Sequence, residues 1–295
     1  MQRVLSTYRY VNQPLGAALL AGISQASISS IEIYCAPQHF SYREPQAVRE
    51  LADALGEYHL EVHALHSPTE RDLAPGRESG VPISISDPER IRRIDAVDEV
   101  KRALEVAERI PFRYLIQHLG HGRQSADPRK LDAAFSSLEQ LSVFAKARGV
   151  TIALENTTDE LGAPASLQHF IADTHLHDLR LCFDTGHAHF EDGVEVSFDA
   201  MRERVATTHI HDNHGEKTST CSPTKAPSIG TQRSPPSPPL RSRLPSCSNS
   251  LSSRAARPRW TKFARPLISW KRISRPNAPA PSGLERPNKK STDKP

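Results

Sequence analysis

The sequence is short of cysteine and of long apolar runs. Its four cysteines form no CxxC pair and no regular spacing, which excludes a disulfide-scaffold protein and favours reduced thiols in a cytoplasmic protein. No run approaches the ~18 consecutive apolar residues that a membrane span requires, so we expect no membrane partner. The hydrophobic fraction of 37% is low and the 24 prolines are many for a globular chain.

Acidic residues and histidine are almost missing from the last quarter of the chain. Up to Lys217 there are 22 Lys and Arg against 32 Asp and Glu, a net charge of −10, whereas from Thr218 onward there are 16 against 2, a net of +14. All 14 histidines precede Thr218, and 14 of the 24 prolines follow Lys217. We predict a folded domain over residues 1–217 and a disordered Pro/Ser/Arg-rich tail over residues 218–295.

Apolar runs alternate with amphipathic stretches throughout residues 1–217. Seven runs are typical of strands, namely VLSTYRYV, SIEIYCAP, EVHALHSP, RYLIQHLGH, VTIALENT, LRLCFDTGH and ATTHIHDN. The stretches between them have helical periodicity, and Asp-Pro pairs at 87–88 and 127–128 indicate two helix starts. The first of these helices carries an apolar stripe of Ile91, Ile94, Val97, Val100 and Leu104. The pattern predicts an α/β fold, a (β/α)8 TIM barrel that is incomplete at about seven βα units, with a doubly wound sheet as the alternative.

Metal-capable side chains stand where the predicted strands end. They are His66, His118, Glu155, Asp184, His187 and His209. Because parallel strands end at the same edge of a barrel, we expect these side chains to meet there. A single histidine at a strand end is usually structural, but six residues at equivalent positions are far less readily explained by chance. Carboxylates with imidazoles suit Mn²⁺, Mg²⁺ or Zn²⁺. Strand alternation predicts that His63 points outward, towards the helices.

Three runs carry a family resemblance. ALENT, CFDTGHAH and HIHDNHG resemble the xylose-isomerase-like barrels, which include sugar-phosphate isomerases and epimerases and their relative, the apurinic-site endonuclease. The resemblance covers residues 1–217, and its motifs indicate the superfamily but not the substrate. It implies a TIM barrel that acts on a small-molecule sugar or sugar phosphate.

The isomerase branch implies a role for each candidate residue. By resemblance, Glu155, Asp184 and His209 hold one divalent ion together with a second Glu from the last strand. His209 is preferred to His211 as the ligand because the family pattern places it three residues before an Asp, here Asp212. Glu155 is also the implied catalytic base, for proton abstraction next to a carbonyl through a metal-stabilised enediolate. The implied substrate-binding residues are His66, His118, His187 and His211.

Two alternatives stay open. The endonuclease branch uses more histidines around a zinc cluster, and His66 and His118 match its positions; it would hydrolyse a phosphodiester with metal-activated water. The net charge of −10 over residues 1–217 argues against a nucleic-acid partner. The third candidate is an inactive metal-binding relic.

The tail suggests a change of reading frame. One codon assignment for TSTCSPTKAPSIG, regrouped one base earlier, spells DEHLLPYEGTIDW, which resembles what the family carries after HDNHGEK. The same offset permits VVLEL at 245–250, a strand ending in Glu, and an amphipathic helix at 262–274. We therefore predict that residues 218–295 are out of frame, and that the chain lacks the eighth strand and its Glu. The first and seventh strands would then have unpaired edges.

Overall fold

The computed structural model describes residues 2–71, 80–121 and 125–211. The predictions for residues 218–295, including the disordered tail, the frame change and the missing last-strand Glu, lie outside these ranges. Asp212, which guided the choice of His209 as a ligand, lies outside them as well.

One parallel sheet organises the described part of the chain. Its seven strands pair in the order in which they occur along the chain, and each neighbouring pair is parallel. These strands are β1 (Leu5–Ser6), β2 (Ser30–Tyr34), β3 (Glu61–His66), β6 (Tyr114–His118), β7 (Thr151–Glu155), β8 (Arg180–Asp184) and β9 (Val205–His209). A doubly wound sheet reverses its strand order at a switch point, and this sheet does not. The prediction of an incomplete TIM barrel is therefore confirmed.

Helices connect the successive strands. They are α1 (Ala17–Gln25), α2 (Pro45–Glu57), α3 (Arg90–Glu105), α4 (Pro128–Lys146), α5 (Pro164–Thr174), α6 (Thr185–Phe190) and α7 (Val194–Met201). Helix α4 begins at the predicted Asp127-Pro128 pair. The Asp127 side chain caps the helix by accepting a hydrogen bond from the backbone N–H of Arg129. Helix α3 is instead capped by Glu89, which accepts from the N–H groups of Ile91 and Arg92. Within the described ranges, no helix is long and apolar enough to cross a membrane.

The two faces of the sheet pack differently. On β8, Leu181 and Phe183 belong to the large core between sheet and helices, whereas Cys182 belongs to a small second cluster. That cluster contains Ala64, Tyr114, Ile116, Ala153 and Cys182. Four of its members lie two residues before His66, His118, Glu155 or Asp184, and therefore on the same face of their strands as those side chains. The second cluster is thus the floor beneath the strand ends.

The sheet curls so that its last strand reaches its second and third. The His209 Nε2 atom on β9 lies 2.8 Å from Glu32 Oε2 on β2, and Thr207 Oγ1 lies 3.5 Å from His63 Nε2 on β3. In the described part of the chain, β1 pairs only with β2 and β9 only with β8. The sheet is therefore a curled, open half-barrel in these residues.

His63 corrects one prediction from strand alternation. Its ring contacts Tyr114 and Thr207, so it points into the barrel and not outward to the helices. The pairing of β2 with β3 passes from Ile31↔Val62 to Glu32↔Ala64, which leaves His63 as an extra residue on β3. Such a bulge breaks the two-residue alternation on which the prediction rested.

Smaller differences concern the element ends. The first predicted strand is only Leu5–Ser6, followed by a 3₁₀ turn over Thr7–Tyr10. An unpredicted antiparallel pair, β4 (Glu70–Arg71) with β5 (Val81–Pro82), follows β3. Two members of the predicted α3 stripe, Ile91 and Ile94, are exposed.

A buried carboxylate joins α3 to the segment that follows β2. Glu99 accepts hydrogen bonds from Tyr42 Oη at 2.5 Å, Arg43 Nε at 2.7 Å and Arg102 at 2.8 Å. Burial alone would raise the pKa of Glu99, but the bonds from Arg43 and Tyr42 outweigh it and hold the pKa below its ordinary value. Glu99 is therefore charged at neutral pH and fixes this segment against α3.

Candidate metal and substrate site

The predicted site residues converge at the carboxyl edge of the sheet. His66, His118, Glu155, Asp184 and His209 are each the last residue of their strand. Strand pairing sets His118 beside Glu155 and Asp184 beside His209. Since parallel strands deliver their last residues to one edge, the sheet itself brings these side chains together.

Glu155 lies at the centre of four imidazoles. Its side chain is 3% exposed; Oε2 lies 3.3 Å from His66 Nε2 and 3.2 Å from His118 Nε2. Its other oxygen, Oε1, lies 3.1 Å from His209 Nδ1 and 3.5 Å from His187 Nδ1. Burial alone would raise the pKa of Glu155, but His209 and His118 outweigh it and hold the pKa well below its ordinary value. The carboxylate is therefore ionised and presents one oxygen to each side of the site.

Asp184 is the second buried carboxylate. Its Oδ2 lies 3.1 Å from His211 Nδ1 and 3.8 Å from His209 Nδ1. Its Oδ1 accepts a hydrogen bond from the backbone N–H of His187 at 2.7 Å. The last contact makes Asp184 the cap of α6, which explains why the DTGH turn follows the strand so tightly. The bond to Asp184 raises the pKa of His211 above its ordinary value.

Asn156 fixes the end of β8 to the end of β7. Its side chain accepts from the Asp184 N–H at 2.7 Å and donates to the Asp184 carbonyl at 3.0 Å. The backbone carbonyl oxygen of Asn156 also lies 2.8 Å from His187 Nδ1. Because a carbonyl only accepts, His187 Nδ1 carries the proton and Nε2 is left as the acceptor nitrogen. Sequence reasoning did not select Asn156, although it stands in the ALENT run.

Glu32 is a further acidic residue that sequence reasoning missed. It is buried in mid-strand on β2, accepts from Ser6 Oγ at 3.0 Å, and lies 2.8 Å from His209 Nε2. Burial alone would lower the pKa of His209, but the carboxylates of Glu155 and Glu32 outweigh it and raise the pKa well above its ordinary value. The position of Glu32 between Ile31 and Ile33 is the sequence signal for its role. Both isoleucines face the main core, so alternation along the strand turns Glu32 to the opposite face, where the site lies.

The donor set fits a divalent cation. Three groups of possible ligand atoms within 4.8 Å of one another share Glu155: with His66 and His118, with Asp184 and His187, and with Cys182 and His209. The trio Glu155, Asp184 and His209 is joined by the 3.1 Å and 3.8 Å contacts of His209 Nδ1. Carboxylate oxygens and imidazole nitrogens are ligands that Mn²⁺, Mg²⁺ and Zn²⁺ accept in proteins.

Comparison with curated proteins gives partial relatives. The chain is 30% identical over 130 residues to an uncharacterized protein of Methanocaldococcus jannaschii, which covers 43% of this chain and 51% of that protein. It is 25% identical over 121 residues to the Haloquadratum walsbyi protein named "Probable endonuclease 4", covering 40% and 42% of the two chains. The chain thus spans about half the length, or less, of the curated relatives it matches.

Solved structures share the fold. A D-tagatose 3-epimerase-like protein superposes with a TM-score of 0.59 at 21% identity, over 73% of this chain and 78% of the other. The 3-keto-D-glucoside 4-epimerase of E. coli gives 0.59 at 17% identity, over 72% and 80%. The model of the xylose isomerase-like TIM barrel family matches residues 20–236, most of the chain. The chain therefore belongs to the xylose isomerase-like TIM barrel family.

Proposed function

We propose that this protein is built as a divalent-metal-dependent sugar or sugar-phosphate isomerase or epimerase that removes a proton next to a carbonyl. The single observation that carries the proposal is the setting of Glu155, a buried, ionised carboxylate between imidazoles and beside Asp184. The similarity of the fold to solved structures that are named as sugar epimerases supports the same proposal. A cytoplasmic location is part of this proposal.

Glu155, Asp184 and His209 would hold the ion. When bound, the ion would polarise the substrate carbonyl and stabilise the negative charge that develops on its oxygen. Glu155 would accept the proton from the neighbouring carbon, because its carboxylate is ionised and lies at the centre of the site. His187 presents Nε2 as an acceptor for a substrate hydroxyl, and His66, His118 and His211 are the other proposed substrate contacts.

The domain division is part of the same proposal. Residues 1–217 would supply seven-eighths of the barrel, and residues 218–295 would be out-of-frame sequence without the second Glu of the isomerase ligand set. The activity of this chain would then be impaired relative to a frame-restored form. Sequencing the coding DNA around codon 217 tests the frame change, and bases that forbid the regrouping contradict it.

The functional experiment compares this chain, its frame-restored form and the Glu155→Gln variant of that form. Ketoses are incubated with each protein and Mn²⁺ in deuterated water, and deuterium at the carbon next to the carbonyl is measured. We expect exchange with the restored form and its loss in the variant. A restored form that binds metal but exchanges no ketose proton would support the inactive metal-binding relic.

One observation favours the endonuclease alternative. Glu155 Oε2 faces His66 Nε2 and His118 Nε2, a second ion-sized group beside the first, and paired ions suit phosphodiester hydrolysis. The acidic balance of residues 1–217 stands against a nucleic-acid substrate. Nicking of abasic DNA by the restored form, without ketose exchange, would establish the alternative.

A further inference from the structure

We propose that Glu32 is a positioning residue that orients His209 for the cation and joins β9, which has one neighbouring strand among the described residues, to the opposite side of the barrel. The inference rests on the proposed function of His209 as a ligand. It concerns a residue of β2 that has no direct place in the proposed ligand set.

The two nitrogens of His209 face different groups. Nε2 lies 2.8 Å from Glu32 Oε2, and Nδ1 lies 3.1 Å from Glu155 Oε1 and 3.8 Å from Asp184 Oδ2. An ionised carboxylate can only accept a hydrogen bond, so Nε2 is the nitrogen that keeps its proton against Glu32. Nδ1 is then the nitrogen left to face the cation, between the two carboxylates that would share it. A carboxylate behind a ligating imidazole fixes its tautomer and ring orientation and increases its basicity.

Glu32 is itself held in place. Its side chain is 5% exposed, and its Oε1 accepts from Ser6 Oγ at 3.0 Å. Ser6 lies on β1, directly beside Glu32 in the strand pairing. The chain β1–Glu32–His209 therefore runs from the first strand to the last through the barrel interior.

The bond between Glu32 and His209 is important because His209 lies at the end of β9, the last strand of the sheet. Strand β9 pairs with β8 on one side and, among the described residues, with no strand on the other. All five residues of β9 are only partly buried, unlike the core positions of β7 and β8. Within residues 2–211, as far as they are described, strand pairing restrains His209 from the β8 side, and the bond to Glu32 supplies restraint from the other.

The test measures Zn²⁺ affinity by calorimetry on the full chain and on its Glu32→Gln, Ser6→Ala and Glu99→Gln variants. Glu32→Gln keeps the volume but removes the charge, and its amide can turn to donate to Nε2 and move the proton to Nδ1. We expect its Zn²⁺ affinity to fall about 10- to 100-fold, the range typical for outer partners of metal ligands. Ser6→Ala should cause a smaller loss, and Glu99→Gln, a buried carboxylate away from the site, should bind as the parent does.

Nitrogen-15 NMR of the histidine rings adds a readout that a merely structural role would not change. In the Zn²⁺-loaded parent, with the ion at Nδ1, His209 should show a protonated Nε2 with slow solvent exchange. Zn²⁺-loaded Glu32→Gln should lose that protection while its far-UV circular dichroism stays unchanged. Equal affinity and an unchanged ring signal in Glu32→Gln would overturn the role of Glu32 alone. A parent chain that binds no Zn²⁺ would overturn this inference together with the metal site of the proposed function.

Discussion

Replacing Glu155 by Gln should remove most of the stabilisation that a divalent ion gives to the fold. Oε1 of Glu155 faces His209 and His187, and Oε2 faces His66 and His118. Whichever way the amide of Gln turns, one side of the site loses its acceptor oxygen and the whole site loses a charge. Loss of an outer partner alone costs 10- to 100-fold in metal affinity, so loss of this ligand should cost at least about 100-fold.

The affinity change translates into a melting shift. An ion at 100 times its Kd stabilises the parent by about 2.7 kcal/mol. For a domain of this size this raises Tm by roughly 5–11 °C, at 2–4 °C per kcal/mol. A 100-fold weaker variant at the same ion concentration gains only about 0.4 kcal/mol, or about 1–2 °C.

Differential scanning calorimetry with and without Mn²⁺ measures these shifts. Glu99→Gln is the matched control, since it changes a buried glutamate of the same kind on α3 and should keep the full metal-induced shift. Its Tm without metal should be lower than that of the parent, because the bonds from Tyr42, Arg43 and Arg102 are weakened. A Glu155→Gln variant with the full parental shift would refute the reasoning.

Three further predictions concern pH, the strand ends and the thiols. The pKa of Glu99 is depressed in the fold, so its stabilising contribution is present above its ordinary value of 4.5 and is lost as pH falls through the lower folded value. The difference in unfolding free energy between parent and Glu99→Gln should therefore shrink in acid, and a difference independent of pH would contradict this. Asn156→Ala removes the acceptor of the buried Asp184 N–H and one donor to the Asp184 C=O, and should lower the unfolding free energy by about 1–3 kcal/mol in urea titrations; a change within error would contradict the role of Asn156 in joining β7 to β8. Burial raises the pKa of the Cys182 thiol to about 12, so iodoacetamide should label Cys182 in peptide mass spectra only after unfolding, and rapid labelling in buffer would disprove its burial.

The main features of the site could be predicted from the sequence because a parallel sheet converts chain order into position. Each strand that ends in Asp, Glu or His delivers that side chain to one edge, so the position of Glu155, Asp184 and His209 follows from the order of the apolar runs. Their selection as the ligand set came from the family resemblance. The parallel order of the seven strands follows from the same alternation. These features depend on local pattern alone.

Other features depend on partners far along the chain. Glu32 pairs with His209, 177 residues away, and Glu99 pairs with Tyr42, 57 residues away. Local sequence spacing does not predict such distant pairs. His63 was placed on the wrong face because one unpaired residue in β3 shifts the alternation, and nothing in EVHALH marks the bulge. Ile91 repeats with helical period, yet it is exposed in the first turn of α3, whose buried residues begin at Ala96.

The central claim is that one cation is shared by Glu155, Asp184 and His209. The most direct measurement is anomalous X-ray diffraction from crystals of this chain grown with Mn²⁺ or Zn²⁺, with data on both sides of the metal absorption edge. The account predicts one strong anomalous peak at the carboxyl edge of the sheet, within coordination distance of the two carboxylates and of His209 Nδ1. Crystals that bind the metal elsewhere, with no peak among these three side chains, would contradict it.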